Sequence, residues 1–143
     1  MKVLLDSSVL IAAMVSSHPE HARALPWLGR AKAGKFAWFV AAHSLAEVYA
    51  GLTAIPFVPR IAPALALQAI DDNIQSAKLV PLSARDYRAT ILLAAQRGLT
   101  GGAIYDALIA RAAQRARVDR LLTFNPTDFH RVWPDGVQRI QVP

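Results

Sequence analysis

A chain of 143 residues, 54% of them hydrophobic, can bury the core of one compact domain spanning residues 1–143 and is too apolar to stay disordered. The lack of cysteine excludes a disulfide scaffold and any thiolate metal site, and fits a reducing, cytoplasmic compartment. A net charge of +6 attracts anions such as nucleic acid or acidic proteins, and no run approaches the ~20 apolar residues of a membrane span.

The positive charge is mostly arginine, since lysine occurs only as Lys2, Lys32, Lys35 and Lys78. Arginine forks suit phosphate and carboxylate groups. Val3-Leu4-Leu5 reads as a short buried strand, and the apolar stretch over 9–15 as a helix that starts near Ser7. Asp6 interrupts this apolar start, so no secretory leader is expected. A strand feeding a helix within two residues opens an α/β unit. It places Asp6 at the carboxyl end of the first strand, where ligands bind in open parallel sheets. Capping the helix is the competing role for that carboxylate.

His18-Pro19-Glu20-His21 marks a turn and a new helix start. That helix is expected to carry Ala22, Leu25 and Leu28 on its apolar face and to end near Gly34, with Trp27 in the core. His18 and His21 lack the third ligand a zinc site wants and read as surface or packing residues. A second strand is expected over 36–40 and a helix over 43–52. Ser44-Leu45-Ala46-Glu47 has the S-x-x-E form of a capping box, so Glu47 either caps that helix or lies as a second acid on the carboxyl edge of the sheet.

Residues 55–59 form a proline-bounded linker. A helix over 61–72 follows, with an apolar stripe from Leu65, Ala69 and Ile70, and then a strand over 78–82. Ser83-Ala84-Arg85-Asp86 opens the next helix with Asp86 as a cap, and Gly98 stops it. Asp71 and Asp72 read as solvated. Thr100-Gly101-Gly102 precedes a largely apolar helix that holds Asp106 in its first turns and runs to about Arg117. Arg111, Arg115 and Arg117 lie toward its end, where cations suit the helix dipole. Strands are expected over 120–124 and 137–142, with a turn over 125–129. The alternation argues for an α/β fold with a mostly parallel sheet flanked by helices.

Asp6, Glu47 and Asp106 thereby share one address, near the end of the late strand that bears Asn125 and Asp128. Each acid alone has a capping or dipole explanation. Together they would crowd negative charge into one cleft, which needs compensation. A hard divalent cation with oxygen ligands, Mg²⁺ or Mn²⁺, supplies it, and would activate a water against a phosphodiester.

Leu4-Leu5-Asp6-Ser7-Ser8-Val9-Leu10, Ala46-Glu47-Val48-Tyr49-Ala50-Gly51-Leu52, Tyr105-Asp106-Ala107-Leu108-Ile109-Ala110 and 121–129 (Leu-Leu-Thr-Phe-Asn-Pro-Thr-Asp-Phe) resemble, in order, the four signature blocks of PIN-domain ribonucleases. The length resembles the VapC-type toxins of toxin–antitoxin pairs. The resemblance implies a PIN-like α/β/α sandwich, Mg²⁺- or Mn²⁺-dependent endoribonuclease activity, a homodimer, and inhibition by a small antitoxin. By position it implies Asp6, Glu47 and Asp106 as metal ligands, with Ser8 and Thr123 orienting carboxylates or a water. Asn125 stands where many relatives have Asp, and Asp128 follows three residues on as a further catalytic acid or second-metal ligand. The alternative is a catalytically silent PIN-like module that binds RNA or protein. A receiver-like domain would want a lysine at a late strand end, and none follows Lys78; Gly101-Gly102 makes no phosphate loop.

Overall fold

The computed structural model describes residues 1–54 and 58–143, so the expected linker falls partly outside the described residues, at 55–57. The strands are β1 (Lys2–Leu5), β2 (Ala37–Ala41), β3 (Lys78–Val80), β4 (Arg120–Leu122) and β5 (Ile140–Gln141). The helices are α1 (Ser7–Met14), α2 (His21–Lys32), α3 (Ala42–Ala54), α4 (Pro63–Ile74), α5 (Ala84–Gln96), α6 (Ala103–Ala116) and α7 (Pro126–Val132). The five strands form one all-parallel sheet in the order β3-β2-β1-β4-β5. This is the expected helix-flanked α/β architecture. Among the described residues no helix is long and apolar enough to cross a membrane.

A parallel sheet with helices on both faces buries both sides of its central strands, which is why β1 reads as an unbroken apolar run. Val3 and Leu5 pack with α1, α2 and Trp38 of β2, while Leu4 faces Ile109, Leu121 and Phe129 on the other side. That is the period-two alternation of a strand. The chain leaves β1 toward β2 and β3, then returns to the other side of β1 as β4. The switch point thus lies at the carboxyl ends of β1 and β4, where an open α/β sheet leaves a crevice. Asp6 and Thr123 stand there, one residue past each strand.

Several local expectations are corrected. The buried face of α2 is Ala24, Leu28 and Ala31; Ala22 is exposed and Leu25 is 47% exposed. The His21 ring contacts the Ala12 carbonyl at 2.9 Å and fixes the rotation of the helix against α1. His18 and His21 are thus packing residues, as expected, with the Glu20 amide donating to His18 Nδ1. In α4 the buried positions are Ala66 and Ile74, while Leu65 is exposed, because the small Ala66 side chain lies where α4 closes on α3. The expected turn over 125–129 is instead the start of α7: Pro126 occupies the first helical turn, where its missing amide costs nothing, and Phe129 is fully buried. The expected strand over 137–142 shortens to β5, preceded by a 3-10 turn over Pro134–Arg139. Gly136 there lies so close to the Trp133 ring that no Cβ fits, which holds the segment in its turn.

Phe129 anchors the helix that carries Asp128 and begins beside Asn125. Phe129→Ala should therefore destabilise the fold by about 3–5 kcal/mol. Urea unfolding checks this: the midpoint falls at unchanged slope, and a midpoint within error of the wild type would contradict the packing.

Candidate active site

Asp6 is the residue before α1, yet its side chain makes no capping hydrogen bond to that helix. The capping role is set aside. The carboxylate is 2% exposed and accepts three hydroxyls instead: Ser7 Oγ at 3.3 Å on Oδ1, and Ser8 Oγ at 2.7 Å and Thr123 Oγ1 at 2.8 Å on Oδ2. Each of the last two hydroxyls also accepts a backbone amide beyond β4, Ser8 from Phe124 at 3.1 Å and Thr123 from Asn125 at 3.0 Å. Since both protons go to Asp6, the 3.4 Å approach of Ser8 to Thr123 is a contact between two acceptors. The expected supporting residues Ser8 and Thr123 thus clamp Asp6 and lock the end of β4 to the start of α1. Burial raises the Asp6 pKa, and the hydrogen bonds from Ser8 and Thr123 oppose that rise.

Glu47 lies in the interior of α3, which begins at Ala42, ahead of Ser44. Ser44 is buried within the helix and its Oγ has no partner, so the S-x-x-E pattern forms no capping box. Glu47 Oε1 is likewise buried without a hydrogen-bond partner. Its nearest cationic candidate, His43 Nε2, is 4.0 Å away. Burial pushes the Glu47 pKa up to about 7, with further push from the negative charges of Asp6 and Asp106, against the pull of a hydrogen bond from the Ser7 hydroxyl. Asp106, in the first turn of α6, is pushed up to about 6 by burial, then by Asp6 and Asp128.

Asp6, Glu47 and Asp106 therefore lie within one another's electrostatic reach, and Asp128 within reach of Asp106, although the four come from three helices and a strand end. Asp128 is exposed on α7 and lines a cleft of about 240 Å³ together with Asp106, Thr100, Gly102 and Arg131. Asn125 is also exposed, and its backbone amide serves the Thr123 hydroxyl. Among the described residues no three His, Asp or Glu side chains are drawn together as a ready-made ligand cage. A hard cation such as Mg²⁺ does not require one, since it keeps several waters and binds through one or two carboxylates. The all-oxygen donor set and the orphaned Glu47 Oε1 fit such an ion, because an unpaired buried acceptor is costly until something positive meets it.

Elsewhere the chain pairs its buried acid internally. Asp86 caps α5 in a reciprocal box with Ser83 and also takes Arg111 Nε at 3.2 Å and Arg115 at 2.7 Å. The Ser83 amide first, and then Arg115, the Ser83 hydroxyl and Arg111, hold its pKa well below the usual carboxylate range against the effect of burial. Arg111 and Arg115 are therefore ion-pair partners of α5 as well as residues of the α6 far end. Two residues of the site were missed in the sequence: His43, one helical turn before Glu47, and Tyr105, next to Asp106. Their rings stack at 5.1 Å with planes 9° apart. The (i, i+4) spacing of His43 and Glu47 was the available signal.

Residues 3–132, which run from β1 through α7 and carry every acid of this cleft, match the PIN domain, and the chain belongs to that family. Within it the chain is similar to ribonuclease VapC27 of Mycobacterium tuberculosis, with 33% identity over 80% of this chain and 78% of the relative. It is similar to ribonuclease VapC40 of the same organism, with 36% identity over 82% of each. In fold it is similar to VapBC2 of Rickettsia felis, crystallised with a DNA fragment from its promoter, with TM-score 0.68 and 19% identity over 100% of this chain and 99% of the other.

The raised values of Glu47 and Asp106 carry a pH signature. An unfolded carboxyl titrates near 4, so between there and about 7 the folded protein binds more protons than the unfolded chain. Stability of the metal-free protein should fall as pH rises through that window, and Glu47→Gln should flatten the fall. Asp86, with its lowered pKa, acts in the opposite sense only below the window, where stability is lost as pH falls. Melting temperatures from pH 4.5 to 7.5 check this; a rise across the window, or identical curves for both proteins, would contradict the acid cluster.

Proposed function

We propose that this chain is the toxin of a toxin–antitoxin pair, an endoribonuclease that hydrolyses RNA phosphodiester bonds with the help of Mg²⁺ or Mn²⁺. The observation that carries the reading is the convergence of Asp6, Glu47 and Asp106 at the sheet's switch point with no protein cation to neutralise them. Among the described residues no Arg or Lys pairs with any of the three. The VapC relatives bear the name ribonuclease, which supports the assignment of RNA as the substrate.

Asp6, Glu47 and Asp106 are the residues assigned to hold the ion. The Ser7, Ser8 and Thr123 hydroxyls fix the direction of the Asp6 carboxylate, which would offer an oxygen to the ion. Glu47 contributes its unpartnered oxygen. Bound there, a divalent cation supplies Lewis-acid activation of a water and of a phosphate oxygen. Asp128 faces Asp106 across the cleft as a further acid of the site or a ligand of a second ion, with Asn125 beside it as a neutral oxygen. Arg131, lining the same cleft, is placed to meet the RNA backbone. A homodimer and a small antitoxin partner complete the proposal. Leu65 and Leu67 on α4 and Ile91 and Leu92 on α5 offer exposed apolar surface for such contacts.

Cleavage of RNA in Mn²⁺ tests the reading. Asp6→Asn, Glu47→Gln and Asp106→Asn should each lower the rate roughly 100-fold or more, and Thr123→Val, which removes one arm of the clamp, roughly 10-fold to 100-fold. Millimolar Mg²⁺ or Mn²⁺ should raise the melting temperature of the wild type and much less that of Asp106→Asn. Cleavage that persists in a chelator overturns the metal mechanism, and RNA that is bound yet never cut points to a silent module. Expression should arrest growth, with the arrest lost in the same acid variants.

A further inference from the structure

We propose that the stacked His43–Tyr105 pair is a base-binding platform: single-stranded RNA lays one nucleobase on the open face of Tyr105 while a neighbouring phosphate enters the acid cleft. The inference rests on the nuclease reading and adds a binding element to it.

Tyr105 immediately precedes Asp106 on α6, and His43 lies one turn before Glu47 on α3. The pair therefore spans the two helices that bring acids to the site. The rings lie parallel within 9° at a centroid distance of 5.1 Å, the range of an offset stack. His43, contacting Glu47 at 4.0 Å and half-buried, backs one side of the tyrosine. Tyr105 is still 49% exposed, and among the described residues its hydroxyl has no protein hydrogen-bond partner. A large aromatic ring is backed on one face by His43 while about half of the residue remains exposed.

Just before α6, Gly101 and Gly102 carry no side chain, nothing lies within 4 Å of where a Cβ would project from either, and Gly102 lines the cleft with Asp106. Single-stranded RNA is read by splaying bases onto aromatic side chains, and such stacking tolerates any base because each has a π-face. A platform one residue from an acid of the site would fix the sugar–phosphate register over the cleft, while Arg131 lies on its α7 side. A duplex, whose bases are already stacked, could not use the platform.

The test uses the full chain in Ca²⁺ and a panel of short single-stranded RNAs, each carrying 2-aminopurine, whose fluorescence is quenched on stacking. Wild type and Tyr105→Phe should quench the probe. Tyr105→Leu, which keeps apolar bulk without a π-face, should lose the quenching and bind roughly tenfold more weakly. His43→Ala, which frees the ring, should lie between them. In cleavage assays Tyr105→Leu should raise KM by a similar factor and change kcat little. Equal melting temperatures would show that the variants are folded, as expected for an exposed position. No quenching by the wild type on any RNA, or equal quenching and affinity in Tyr105→Leu, overturns the platform. Loss of cleavage in the wild type itself overturns the nuclease reading instead, and the binding arm still decides the platform.

Discussion

The structure depends on a buried carboxylate that no positively charged group among the described residues meets. Asp6 sits where the strand order of the sheet switches sides, and desolvation there disfavours its charge. Three hydroxyls hold it, and two of them are themselves held by the backbone just beyond β4. The clamp thereby joins residues more than a hundred positions apart and gives the carboxylate a fixed direction. It does not give it a counter-charge. Hydroxyls orient an anion, but only a cation offsets the repulsion that Glu47 and Asp106 add.

Asp86 shows that this sequence stabilises a buried acid differently when the purpose is structural. There a cap, two arginines and a serine hydroxyl converge on one carboxylate and draw its pKa down. The site acids are treated in the opposite way: they face one another, their pKa values are driven up, and one oxygen of Glu47 is left unpartnered. A chain with sixteen lysines and arginines against ten acidic residues does not lack cations to place. Among the described residues none of them pairs with Asp6, Glu47 or Asp106, a cost in stability that makes sense where an external ion is to be received.

Around that cleft the charge is arranged in two zones. The molecule as a whole is positive and attracts a polyanion, while the acids would repel it at close range. In the proposed nuclease, a divalent ion held by the acids would reconcile the two. Arg131 on one side and the His43–Tyr105 stack on the other border the acids with groups suited to backbone and base. The family match from β1 through α7 places this arrangement on a known scaffold, and the side chains supply the chemistry.

Apolar periodicity and strand-to-helix junctions are local signals, so the α/β class and the positions of most strands and helices were legible along the chain, and Asp6, Glu47 and Asp106 could be singled out there as candidates. Resemblance to the four PIN blocks added Ser8 and Thr123, which hydrogen-bond the acid they were expected to support. What was local but ambiguous, a carboxylate near a helix start, could not be resolved along the chain: Asp86 is a cap, while Glu47 in nearly the same pattern is not, because α3 begins earlier and buries Ser44. The rotation of α2, the conversion of the 125–129 turn into α7 and the pairing of Arg111 and Arg115 with Asp86 were also decided only in three dimensions. Each depends on which surface a helix packs against, and packing partners distant in sequence leave no periodic trace. The meeting of His43 with Tyr105, sixty-two positions apart, has the same origin: two helices cross at the switch point of the sheet, and only the assembled layers bring their first turns together.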